Sequence, residues 1–74
     1  MLSIDEKILL LDERIIALDD ICLSILKYIK NIEDGMEDPE MTISQCNQLL
    51  LETQVKKEAL IAKKQHLLED RLVV

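Results

Sequence analysis

The sequence predicts an all-α chain, an antiparallel two-helix hairpin of coiled-coil type, and three observations carry that prediction. First, Ile4, Ile8, Leu11, Ile15, Leu18, Cys22, Ile25, Ile29 and Ile32 follow one another at spacings alternating four and three, the stripe of a helix that buries one seam. Second, the single glycine and single proline, Gly35 and Pro39, both stand in the middle of 74 residues. They divide the chain into two long halves. Third, hydrophobic residues make up 49% of the chain, with one Tyr and no Phe or Trp, so the interior is aliphatic and the composition helical rather than β.

The first helix is expected from about residue 3 to 33. Ser3 and Glu6 form a capping box, in which the Ser3 hydroxyl accepts from the amide of residue 6 and the Glu6 carboxylate reaches back to the Ser3 amide. A turn is expected over 34–38, where Gly35 suits the left-handed position after a helix end. Glu33 and Asp34 stand at the unfavourable end of the helix dipole and should let it fray. The second helix then runs from about 39 to 70. Pro39 with Asp38 as N-cap would start it at once, whereas Thr42 with Gln45, a second capping pair, would start it at 43. The last three residues, Leu72-Val73-Val74, are left as an apolar tail, and the whole chain forms a single domain.

The second helix is patterned less strictly. Ile43, Cys46, Leu49, Leu50, Leu60, Ile61, Leu67, Leu68 and Leu72 share one broad face, and Leu51, Val55, Ala59, Ala62 and Val73 form a narrower strip. A short linker makes the two helices antiparallel. That pairing brings Asp5, Asp12 and Asp19 level with Lys56, Lys57, Lys63 and Lys64. Exposed ion pairs are worth only about 0 to 1 kcal/mol each, so such pairs choose register more than they stabilise.

The first helix also holds more apolar residues than one seam can hide. Leu2, Leu9, Ile16 and Leu23 recur every seven residues outside the stripe, and Leu10, Ala17, Ile21 and Tyr28 lie on another side. A Leu or Ile side chain gains about 1.5 to 3 kcal/mol on full burial, a large term for a chain whose own core is small. A cover is expected: a second copy completing a helical bundle, or a different protein partner. Leu9, Ile16, Leu23, Leu49 and Leu50 are the candidate partner-binding residues.

Chemistry finds little footing. The formal net charge of −6 argues against nucleic acid or an anionic membrane as partner. Acidic Asp5 and Glu6 occupy the place where a signal peptide carries bases, and no apolar run approaches the roughly 18 residues of a membrane span. A cytoplasmic location is expected. Cys22 and Cys46 are read as buried free thiols, since a reducing compartment disfavours a disulfide and their spacing suits neither zinc nor redox work. His66 has only Glu69 nearby and reads as a solvated residue rather than a metal ligand. Consecutive acids such as Asp12-Glu13 point about 100° apart on a helix and converge on nothing. With only Arg14 and Arg71 as arginines, the bundle lacks the cationic clamp of a chorismate-type mutase. No catalytic residue, metal, cofactor or small-molecule substrate is expected.

Residues 37–61, "EDPEMTISQCNQLLLETQVKKEALI", resemble the second half of the small helical-hairpin co-chaperones of type III secretion needle subunits. The resemblance is carried by Asp38-Pro39, by Asn47 and Gln48, and by Leu49-Leu50-Leu51-Glu52. It implies a non-enzymatic co-chaperone or adaptor that packs on a helical-repeat chaperone and helps hold the secreted subunit. A likeness to the hairpin phosphatases of sporulation phosphorelays stops at Ser44-Gln45-Cys46-Asn47-Gln48, where their acidic residue is missing. The alternative reading is a homodimeric coiled-coil regulator or inhibitor, for example phage- or plasmid-borne, that binds another protein.

Overall fold

The computed structural model describes residues 1–72, which form the expected hairpin: α1 (Ile4–Glu33) and α2 (Ile43–Leu72), 30 residues each, joined by a nine-residue linker. Packed antiparallel, they make a rod 56 Å long and 17 by 16 Å across. Val73, which the sequence assigned to the narrow strip of the second helix, and Val74 of the expected tail lie outside the described residues. Leu72, expected in that tail, is the last residue of α2.

Each helix end has a local cause. Ser3 is the N-cap of α1, its hydroxyl accepting from the Glu6 amide at 3.1 Å. The return half of the box differs from expectation, because the same hydroxyl donates to the Glu6 carboxylate at 3.3 Å. At the other end, the Gly35 amide donates to the Ile32 carbonyl and the Met36 amide to the Asn31 carbonyl, the Schellman pair of bonds that closes a helix through a left-handed residue. Gly35 supplies that residue with φ +100°. With the bond from the Asp34 amide to the Lys30 carbonyl, these bonds satisfy the carbonyls of Lys30, Asn31 and Ile32, and α1 ends at Glu33 as expected.

The second helix takes the later of its two possible starts. Thr42 and Gln45 form a complete capping box, the Thr42 amide donating to Gln45 Oε1 at 2.9 Å and the Gln45 amide to Thr42 Oγ1 at 3.1 Å. Asp38 and Pro39 therefore belong to the linker, not to a helix start at 39. Asp38 sits at φ +46°, in the left-handed region where Asp is enriched, and cannot serve as an N-cap there. The linker is fastened to α1 by a hydrogen bond from the Met41 amide to the Tyr28 hydroxyl at 3.3 Å.

All nine residues of the α1 stripe are buried or half-buried, Leu11 and Ile25 at 6% exposure each. Facing them, α2 presents Cys46, Leu50, Thr53, Lys57, Leu60, Lys64 and Leu67, again at alternating spacings of four and three. Of the broad apolar face of α2, Cys46, Leu50, Leu60, Leu67 and Leu68 are buried or half-buried, whereas Ile43, Leu49, Ile61 and Leu72 are exposed and Thr53, Lys57 and Lys64 enter the seam. Thr53 is tolerated because its hydroxyl donates to the Leu49 carbonyl one turn back at 2.8 Å. The lysines are tolerated because their alkyl stems lie along apolar surface while the ammonium reaches the edge. Cys46 is fully buried, Cys22 half-buried, and both are free thiols.

The neighbours Leu10 and Leu11 provide a direct test of the seam. Leu11→Ala should cost about 2 kcal/mol or more in denaturant unfolding, while Leu10→Ala, at an exposed position, should cost less than about 1 kcal/mol. Gly35→Ala should cost about 1 kcal/mol through backbone strain, since a Cβ there meets no neighbour; circular dichroism melts of the three variants check both expectations.

Candidate interaction surfaces

Three interhelical ion pairs run along one edge of the seam. Asp5 meets Arg71 at 3.0 Å, Asp12 meets Lys64 at 2.6 Å, and Asp19 meets Lys57. Each step moves seven residues up α1 and seven down α2. Of the four lysines the sequence offered to these aspartates, Lys57 and Lys64 are used; Lys56 and Lys63 point to the opposite edge, and Arg71 completes the ladder instead. The hydrogen bond from Lys57 to the Asp19 carboxylate holds this ammonium above its ordinary value of 10.5.

Beside that ladder stands the surplus row. Leu9 is three residues before Asp12 and four after Asp5, and so shares their side of the helix. Leu9, Ile16 and Leu23 are 58%, 59% and 57% exposed, and Leu2 and Leu26 extend the row at its two ends as exposed residues. Among the other candidate residues, Leu49 is exposed but lies on the far edge of α2, in the row of Lys56 and Lys63. Leu50 is half-buried in the seam and offers little surface to a partner.

On the opposite edge lies a groove that sequence reasoning missed. Two depressions that share Arg14 lie between the helices, lined from α1 by residues 7–14 and then 14–18, and a third follows between residues 20–28 of α1 and Met41 of the linker. Leu10, Ala17, Ala59, Ile21 and Met41 make apolar walls, and Lys7, Arg14, Lys56 and Lys63 stand at the rim. Lys7 and Arg14 are seven apart on one helix and Lys56 and Lys63 seven apart on the other. That spacing was available in the sequence, but it gains meaning only once the register brings the two pairs together.

Other candidate chemistry stays dispersed. His66 is exposed, with Glu69 at 3.9 Å. Among the described residues no cluster of three His, Cys, Asp or Glu is placed to hold a metal ion, and no helix is long and apolar enough to cross a membrane.

The Lys57–Asp19 pair has a pH signature. A raised folded-state pKa means that its contribution to stability is fully present below pH 10.5 and is lost as pH rises through the raised value. Asp19→Asn should bring the Lys57 Nζ titration, followed by NMR, down toward 10.5 and remove that alkaline loss; an unmoved titration would contradict the bond.

With the geometry in place, comparison with known proteins adds no relative: no family model, curated protein or solved structure shows a significant match to this chain.

Proposed function

We propose that this chain is a non-enzymatic protein–protein interaction module, a small adaptor that presents the Leu9, Ile16 and Leu23 row of α1 to another helical surface. The observation that supports this reading is the exposure of that row. Three large aliphatic side chains, more than half exposed, repeat every seven residues on a helix whose inner stripe is already occupied by α2. Covering them offers about 1.5 to 3 kcal/mol per side chain, and a seven-residue repeat fits a helical partner by knobs-into-holes packing. The module works by binding alone, without turnover or cofactor.

In its most specific form the proposal is a cytoplasmic co-chaperone of a type III secretion needle subunit, acting beside a helical-repeat chaperone. That partner class rests on the resemblance of residues 37–61 alone. The exposed row supports an adaptor of any helical partner equally well.

The test compares the tagged chain with Ile16→Asp as bait in extract of its own cells, followed by purification of the retained protein and calorimetry on the pair. A carboxylate in the centre of a covered row should weaken binding by about 2 kcal/mol or more, some thirtyfold, with helicity unchanged. Retention of the same proteins by both baits would contradict the reading. So would collapse of helicity in Ile16→Asp, because Ile16 would then belong to the intramolecular core.

A further inference from the structure

The basic groove and the apolar row are complementary to each other. We propose that the groove of one copy of this chain receives the Leu9, Ile16 and Leu23 row of a second copy. This rests on the row being a contact face and names its first occupant.

Spacing supports the fit. The row repeats every seven residues, about 10.5 Å along a helix, and the three depressions, lined from α1 by residues 7–14, 14–18 and 20–28, follow one another at unequal steps of roughly 8 and 12 Å that bracket that repeat. Each depression can take one side chain of the row.

Charge supports it independently. Arg14 and Lys63 line one depression and Arg14 and Lys56 the next, so like charges face each other across the groove in a chain of net charge −6. The ion pairs found among the described residues do not include Lys7, Arg14, Lys56 or Lys63. Lys7, Arg14 and Lys63 also have no acidic residue three or four positions away on their own helix. The row carries the opposite charge: Glu6 and Glu13, each three residues before Leu9 and Ile16, border it and join no ion pair among the described residues. Laid side by side in the same direction, one copy brings Glu6 and Glu13 level with Lys7 and Arg14 of the next. Lys27 of the first copy then reaches the third depression, whose one charged lining residue is Asp20. Burial in the groove removes the acids and bases from water together, which favours their pairing.

The two surfaces lie on different edges of the hairpin, so the contact is heterologous: every copy offers one row and one groove, and copies add in sequence. A partner protein that takes the row ends the series.

Heterology gives the test. Sedimentation velocity on the full chain should show a mass that grows with concentration and falls with added salt. Ile16→Asp spoils the row and leaves the groove; Arg14→Glu with Lys63→Glu spoils the groove and leaves the row. Each variant alone should be monomeric and helical, and an equimolar mixture should form a two-chain complex and nothing larger. Should the double variant lose helicity, Lys63→Glu alone serves in its place. A wild-type chain monomeric at every concentration would overturn the proposal while leaving the adaptor reading to its own capture assay. A mixture that restores no complex, or a groove variant that still self-associates alone, would also overturn it, the latter pointing to row packed on row in a symmetric dimer.

Discussion

Everything in this molecule depends on a single seam between two helices. A hairpin has no third element, so each helix can bury one stripe and must leave the rest to water or to a partner. The α1 stripe meets that constraint with nine residues, eight of them Ile or Leu, and none is charged. Such uniformity makes burial strong and register ambiguous. A slip of seven residues would set Ile against Leu almost as before, and apolar contact by itself would hardly resist it.

Resistance comes from the less regular partner. By placing Thr53, Lys57 and Lys64 in its half of the seam, α2 gives up apolar area and gains positions that recognise Asp19 and Asp12, with Arg71 and Asp5 continuing the series. One register satisfies all three pairs. The linker pins the same register from the other end, through the Gly35 closure of α1 and the bond from Met41 to Tyr28. The seven-residue recurrence of aspartate in α1 is therefore a zip code for α2. Its consequence is an edge whose charges are paired within the chain, while Lys7, Arg14, Lys56 and Lys63 on the opposite edge take no part in the ion pairs among the described residues.

How much of this was legible from residues alone differs between the helices for a physical reason. In α1 every seam position is apolar and strictly spaced, so the stripe could be read residue by residue. In α2 the seam contains Thr53, Lys57 and Lys64, which look like surface residues until their stems and partners are seen, so the broad apolar face read from the sequence mixes seam residues such as Leu50 and Leu60 with exposed ones such as Leu49 and Ile61. The sequence offers two starts for α2, at Pro39 and at Ile43, and the reciprocal bonds of Thr42 and Gln45 decide for the second. The surplus row was legible because Leu9, Ile16 and Leu23 exceed what one seam can hold. The groove was not, since its rim is shared between helices and exists only in the correct register.

Ile15 and Ile16, adjacent in sequence, are proposed to serve different interfaces: Ile15, half-buried, the internal seam, and Ile16, 59% exposed, an external contact. Solvent paramagnetic relaxation of their methyl groups, measured by NMR from dilute to concentrated protein, tests this most directly. Ile15 should be protected throughout, and Ile16 should be strongly relaxed in dilute solution and become protected as the concentration rises. Equal protection of both in the dilute monomer, or an Ile16 that stays fully accessible at every concentration and in every complex, would contradict it.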